Sequence, residues 1–508
     1  EVRMIHDMVF ITANRKDPMK NSTLTPPPSR TPSRWAILAL LGVAQLMVVL
    51  DATIVNIALP SAQKALAFSN DNRQWIVTAY ALAFGSLLLL GGRISDLFGR
   101  KWTFVIGLLG FAGASAVAGA AQSFGMLVGA RAVQGAFGAL LAPAALSLLT
   151  TTFTDPGERA RAFGIYGGIA GAGASIGLLL GGVLTDALNW RYTMYVNLLF
   201  AGGAAIGALI LLVNQRPAER PHFDIPGILT VSGGLFSLVY GFSHAQTTSW
   251  GNTTTIAFLA VAAALLAAFM AIERRAAHPL LPLRVIADRD RGASFLSVGI
   301  SGAAVFAVFM FLTYFMQQNL GLSPIASGLA FLPLTATVVV SSMLSSTRLV
   351  PRFGPRPLVV AGMLLGAAGM LYLTGLGVHS SYAADILPSL LIMGVGFGMI
   401  FAPAFSHATL GVDDNDAGVA SATVNATQQV GGSIGVALLS TVAASAVSSF
   451  IGGARPTPSL MAAATVHGYT TAFFWAAGIF ALGAIVAGVL FRPGVQVLEP
   501  VEEPVLAH

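Results

Sequence analysis

The chain contains no cysteine. Disulfides, thiolate zinc sites, cysteine-ligated iron–sulfur clusters and a cysteine nucleophile are therefore excluded together. Charge is also scarce: Asp, Glu, Lys and Arg make up 9% of the 508 residues, where a soluble domain carries about 25%. There is no GxxxxGK[ST] phosphate loop, so ATP is not the expected energy source. The eight histidines show no HExxH and no paired ligand spacing, and neither a metal nor a cofactor is expected. GAGASIG from Gly171 has the outline of a dinucleotide turn, but it lacks the preceding strand and lies inside an apolar run, which makes it a packing surface.

What is abundant is apolar. AVILMFWYC residues supply 55% of the chain, enough for about fourteen membrane helices of roughly 20 residues each. Fourteen apolar runs can be delimited: 35–58, 74–92, 102–121, 125–149, 162–184, 192–213, 227–243, 255–272, 293–316, 326–346, 358–376, 386–405, 418–446 and 470–491. The 56 glycines suit close helix packing in lipid. The expected class is an all-α integral membrane protein with fourteen transmembrane helices.

An even number of spans puts both termini on one side. Only Lys64, Arg73, Arg191 and Arg455 fall on the opposite side and Arg131 lies inside a span, leaving 22 of the 27 basic residues on the termini's side. The positive-inside rule then predicts cytoplasmic termini and a multi-pass chain in the cell membrane. The net charge of +6 is thus a topology signal, and no nucleic-acid partner is expected. Residues 1–34, rich in Pro, Ser and Thr, read as a disordered cytoplasmic tail without a signal peptide, and 493–508 as a second cytoplasmic tail.

Three pairs of segments repeat at nearly one spacing. GRISDLFGRK from Gly92 pairs with TRLVPRFGPR from Thr347, GALLAPA from Gly138 with GMIFAPA from Gly398, and SIG from Ser175 with SIG from Ser433. Three matches in order point to duplication. Spans one to six (35–213) then correspond to nine to fourteen (291–492), with spans seven and eight (214–290) inserted between the halves.

Two ionisable side chains lie well inside the spans: Asp51 in the first and Arg131 in the fourth. Each would cost roughly 2.5 to 3.5 kcal/mol at a helix centre, so each should face a cavity or a partner. Counting at about 1.5 Å per residue puts both in the outer half of the bilayer, close enough in depth to share one cavity. Asp51 is the expected proton-coupling group, with Arg131 holding substrate or biasing the carboxylate. A fixed ion pair that only orders the bundle is the competing interpretation. Polar residues in otherwise apolar spans mark the expected substrate cavity: Gln45, Thr53, Asn56, Gln134, Asn425, Gln428 and Gln429. Tyr80, Tyr166 and Tyr314 offer stacking faces for a planar or cationic ligand.

LDATIVNIALP (Leu50–Pro60) resembles the first-helix signature of the fourteen-helix drug:proton antiporters of the major facilitator superfamily, the EmrB/QacA type. GxxxDxxGRK from Gly92 to Lys101 is similar to the superfamily's loop motif between helices two and three. RAVQG from Arg131 resembles its fourth-helix motif, the glycines between Gly164 and Gly182 its fifth helix, and WRYTMYVN from Trp190 its entry to helix six. The resemblance covers about residues 35–492. It implies two six-helix bundles plus two inserted helices, and proton-coupled efflux of amphiphilic drugs or antibiotics by alternating access. It also implies a cytoplasmic latch of Gly92, Arg93, Asp96, Gly99, Arg100 and Lys101, and a functional glycine stripe at Gly173, Gly177, Gly181 and Gly182. The sequence departs from the pattern where Ala174 and Leu178 replace the fifth helix's prolines and Leu199 the proline of helix six. Any bend in that fifth helix must then come from glycine alone. A facilitator or an uptake symporter of the same fold is the alternative, and an embedded enzyme a remote one. One buried acid suits a neutral or monocationic amphiphile, carried by a monomer.

Overall fold

The structure, a computed structural model, describes residues 33–68, 75–213, 224–277, 279–413, 416–453, 455 and 457–494, without a few side chains that include Asn56. Both expected tails fall almost wholly outside the described residues. Among the described residues there is no strand. A chain with so little charge that must cross lipid has to satisfy its backbone hydrogen bonds within each segment, and the helix does this.

The first six helices are α1 (Arg34–Leu66), α2 (Trp75–Phe98), α3 (Arg100–Gly119), α4 (Phe124–Thr152), α5 (Pro156–Ala187) and α6 (Tyr192–Leu211). Then come α7 (Ile225–Thr247), α8 (Thr253–Glu273) and the one-turn α9 (Leu283–Ala287). The second set opens with α10 (Arg289–Gln318). The next crossing is broken into α11 (Pro324–Ala330), α12 (Leu332–Leu344), a π-helical turn at Ser345–Leu349 and α13 (Val350–Phe353). After α14 (Pro355–Leu373), a π-helical turn at Tyr382–Ile386 leads into α15 (Leu387–Ala408), followed by α16 (Ala417–Ile451) and α17 (Pro458–Leu490). Side-chain caps fix several starts: Ser123 Oγ accepts from Met126 N at 3.3 Å, and Asp155 Oδ1 accepts from Glu158 N at 2.8 Å with Pro156 at the first helical position.

Among the described residues, thirteen segments are long and apolar enough to cross a membrane. The fourteenth of the sequence reading is α5, a helix of 32 residues that lies within the bundle against α1 and α12. The last span begins at Pro458, not near 470, because Thr457 caps it there, its Oγ accepting from Leu460 N at 3.2 Å.

Helices α1–α6 pack among themselves, with α4 against α2 and α3, and α1 against α5 and α6. The second set repeats the plan: α10 packs on α16 and α17, and α15 on α12 and α14. The two sets meet at α2 against α16 and at α5 against α12, which are equivalent pairs under the duplication. The turn glycines Gly99 and Gly354, at matched positions of the repeat, both adopt positive φ (96° and 77°) where a helix pair turns sharply. The inserted α7 and α8 pack on each other, and α7 lies against α2 and α16 at the seam between the sets.

Candidate functional site

Asp51 sits midway along α1 and is fully buried, as is Arg131 on α4, at 0% and 1% exposure. Arg131 Nη1 donates to Asp51 Oδ2 at 2.6 Å. The other carboxylate oxygen, Oδ1, accepts from Gln134 Nε2 at 2.7 Å and from Asn197 Nδ2 on α6 at 2.8 Å. Both amides also donate to Ser115 Oγ on α3, at 2.6 and 3.2 Å. Arg131 Nη1 donates to Gln134 Oε1 at 2.6 Å and Arg131 Nε to the carbonyl of Ile76 at 3.3 Å. Helices α4 and α6 thus supply the carboxylate with three donors, one charged and two amide, and Ser115 of α3 holds the two amides. Such a shell offsets the cost of a charge in a low-dielectric interior.

On its other side the guanidinium lies 4.3 Å above the ring of Tyr80, which stacks on Phe84 at 5.6 Å and 9°. Tyr80 and Phe84 also line a cavity of about 160 Å³ between the two sets, together with Gln45, Asn425, Gln428 and Gln429. The Asp51–Arg131 pair does not itself line this cavity, contrary to the expectation of a shared one. Val48, Val49, Ala52 and Thr53 do, so the acid points from the opposite face of the same turn of α1. Tyr80 is the partition between them, and its buried hydroxyl has no hydrogen-bond partner.

Of the expected cavity residues, Thr53, Asn425 and Gln428 line the space, as do Gln45 and Gln429. Gln134 instead turns toward Asp51, because a carboxylate is a stronger acceptor than anything the cavity offers. Asn56 lies outside the described side chains. Tyr166 donates to Gln45 Oε1 at 2.7 Å and so orients a cavity amide, whereas Tyr314 is 44% exposed on the outside of the bundle and stacks on nothing in the cavity. Asn197, a direct donor to the acid, and Ser115, which accepts from both amides, are residues that the sequence did not single out. Asn197 closes WRYTMYVN, which was the available signal.

The glycine stripe of α5 is the seat of α1. A methyl group at Gly173 would lie 2.6 Å from Val49, at Gly177 it would strike Thr53 and the backbone of Leu50, and at Gly181 it would lie 2.9 Å from Ile54. Gly182 faces the other set instead, at Ile325 of α11. The stripe therefore presses on the turns of α1 just before and after Asp51.

At the end of the bundle where α2 finishes, Asp96 crosses between the sets. Its carboxylate accepts from the backbone amides of Gly418 and Val419 at 2.9 and 3.1 Å, two of the unsatisfied donors in the first turn of α16. Asp416, the residue before α16, makes no side-chain cap because Arg284 of α9 holds it at 2.6 Å. Burial raises the Asp416 carboxyl above the usual carboxylate range, against the pull of Arg284 and Arg93. Gly92 and Gly418 bring the two backbones together, with no room for a methyl group at either. Gly99 turns the chain, and Arg93 and Arg100 add positive charge near Asp96. Lys101 is directed elsewhere, toward α6. Its Nζ donates to the carbonyls of Leu209 and Leu212 at 3.0 and 2.6 Å and caps the end of α6. A second cross-link of this end was not foreseen: Arg159 of α5 donates to Thr409 Oγ1 beyond α15 at 3.0 Å.

A duplicated helical bundle with a cavity at the seam and a charged group buried beside it defines the class of membrane transport proteins. The sequence model of the Major Facilitator Superfamily matches residues 41–436, and the chain belongs to that family. It is 47% identical over 461 residues to the puromycin resistance protein pur8 of Streptomyces alboniger, covering 90% of this chain and 92% of that protein. It is 36% identical over 423 residues to the tetracenomycin C resistance and export protein of Streptomyces glaucescens, covering 81% and 76%. Among solved structures, the human organic anion transporter MFSD10 matches at a TM-score of 0.61 with 15% identity, covering 90% of this chain and all of that one, which is a likeness of fold.

Proposed function

We propose that the protein is a proton-coupled exporter of small amphiphilic drugs or antibiotics, working by alternating access. The relatives named for resistance and export support export as the direction. The observation that carries the coupling is the buried Asp51, ringed by Arg131, Gln134, Asn197 and Ser115 and separated from the cavity by a single aromatic ring. In this reading Asp51 is charged and paired while that end of the path is shut. Movement of Tyr80 and Arg131 when the sets rock lets water reach it, and protonation then releases cargo. Neutral or monocationic compounds suit a cavity whose polar groups are amides and a tyrosine edge.

Both termini are cytoplasmic in this reading, which makes the Asp96 contacts the cytoplasmic latch, shut in the conformation described here. The working units are residues 35–213 and 291–492, with 214–290 as a structural insert. The proton gradient is the energy source, without ATP, and the protein acts as a monomeric carrier and not an enzyme. A facilitator is the second reading, favoured by the full burial of Asp51 and by three donors that hold it outside the cavity lining.

The test is uptake of puromycin into inside-out vesicles or proteoliposomes with an imposed pH gradient. Wild type should concentrate the drug and move protons when it is added. Asp51→Asn should carry it only downhill and without proton movement. Uphill transport that persists in Asp51→Asn rules out Asp51 as the coupling site, and transport indifferent to the gradient in wild type identifies a facilitator.

A further inference from the structure

A second and larger space lies away from the central cavity. It has a volume of about 560 Å³ and runs between the inserted pair α7–α8 and the outer face of α10, α16 and α17. Val231, Leu266, Phe269, Met270, Ile300 and Val430 are among its walls. Thr423 and Thr427 also face it, but each hydroxyl donates to its own helix backbone, Thr423 to Val419 O at 2.8 Å and Thr427 to Thr423 O at 3.0 Å. What they present is methyl groups, so the groove has no hydrogen bond to give. That separates it from the central cavity, where four amide side chains converge. A polar antibiotic would forfeit its hydration here without replacement, and hydrocarbon would not.

The groove is also long. Its lining on α16 runs from Thr423 to Leu438, about 22 Å of helix, against a hydrocarbon leaflet of about 15 Å. Leu296 and Leu438 on its rim are 50% and 42% exposed, so it opens toward the acyl chains of the bilayer. At its lower end Leu266, Met270 and Arg274 follow one another at four-residue spacing down one face of α8, and helical geometry continues through Arg274 (φ −65°, ψ −22°). Arg274 and Arg275 are both exposed. Neighbouring Glu273 is turned away, accepting from Leu281 N at 3.1 Å, and among the described residues neither arginine has an ion pair.

We propose that this groove holds one acyl chain of an anionic phospholipid of the cytoplasmic leaflet, with the lipid phosphate on Arg274 and Arg275. The insert then has a task that the transport cycle does not give it: α7 touches both α2 and α16, and a lipid seated against it fills the space between the insert and the second bundle. The assignment to the cytoplasmic leaflet rests on the orientation proposed above, but the binding does not depend on export.

The full chain is purified in detergent, delipidated and titrated with phosphatidylglycerol or phosphatidylcholine, and bound lipid is counted by native mass spectrometry. Phosphatidylglycerol should be preferred by about thirtyfold, the attraction expected of two basic side chains near anionic lipid. Arg274→Gln with Arg275→Gln should reduce it to the phosphatidylcholine level while phosphatidylcholine binding stays the same. Val430→Trp, which fills the groove, should abolish retention of both; Leu266→Trp from the facing wall replaces it if thermal unfolding shows that Val430→Trp does not fold. Equal binding of the two lipids by wild type, or undiminished retention in the filled groove, overturns the proposal. Displacement of the lipid by puromycin also overturns it, since the groove would then be a drug site.

Discussion

At the scale of the residue, the buried ion pair is held by geometry that leaves no charge unanswered, and its removal is correspondingly asymmetric. Asp51→Asn keeps the amide donors but leaves Arg131 charged and unpaired at 1% exposure. Breaking one side of such a pair costs about 3–5 kcal/mol. Replacing both, as Asp51→Asn with Arg131→Met, removes the stranded charge and should return most of that stability. Thermal unfolding of the three proteins in detergent checks this; a double variant no more stable than Asp51→Asn alone would show that Arg131 is stabilised by Tyr80 and Ile76 without its acid. Asp51 and Arg131 were legible in the sequence because an ionisable group is rare in an apolar run. Their neighbours Asn197 and Ser115 were not, because a lone Asn or Ser in a span has many uses and only the fold brings α3, α4 and α6 together beside α1.

At the scale of the element, the departure of α5 from its family pattern turns out to have a packing consequence. Without prolines at positions 174 and 178 the helix runs unbroken from Pro156 to Ala187. Its glycines serve as a flat seat for α1, at a spacing of four residues that keeps them on one face. The sequence showed the stripe but not its partner, since glycine periodicity carries no information about which helix lies on it. Gly177 has the tightest fit, facing backbone at Leu50 as well as the Thr53 side chain. Backbone cannot swing away as a side chain can, so Gly177→Val should force α1 outward, cost about 1–3 kcal/mol and disturb the turn carrying Asp51. Gly113, with nothing near its added methyl group, is the control. If Gly177→Val matches Gly113→Val in unfolding temperature and in transport, close contact at the stripe does not position the acid. Helix number and the existence of the insert were readable from hydropathy and repeat spacing. The break of one crossing into α11, α12, a π-helical turn and α13 was missed by hydropathy, which does not register that Pro333 and Pro351 interrupt the backbone hydrogen bonds at the starts of α12 and α13.

At the scale of the whole molecule, duplication makes the two seams equivalent in backbone but not in charge. The contact of α2 with α16 has its counterpart in α12 with α5, where Gly164 lies against the backbone of Met343 at a fit of 3.2 Å to an added methyl group. Yet the position matching Asp96 in the second half is Pro351, so the acid that bonds across the α2–α16 seam has no counterpart in the repeat at the α5–α12 seam. One charge at a helix N-terminus is worth up to about 2 kcal/mol when partly buried, which corresponds to roughly a thirtyfold shift between shut and open states. Asp96→Asn keeps the shape and removes the charge, so it should populate the state open at this end without unfolding the bundle. The absence of cysteine makes the measurement direct: spin labels at Arg161→Cys and Arg352→Cys, exposed on opposite sets at the same end, report the separation by pulsed electron resonance. A longer distance should appear in Asp96→Asn and a still larger share of it in Gly418→Val, where the added side chain keeps the backbones apart. If only Gly418→Val opens, close backbone packing holds this end shut and the acid at Asp96 has another task. If both open while uphill export is lost, Asp96 and the buried Asp51 bias the same rocking motion from different depths of the first bundle.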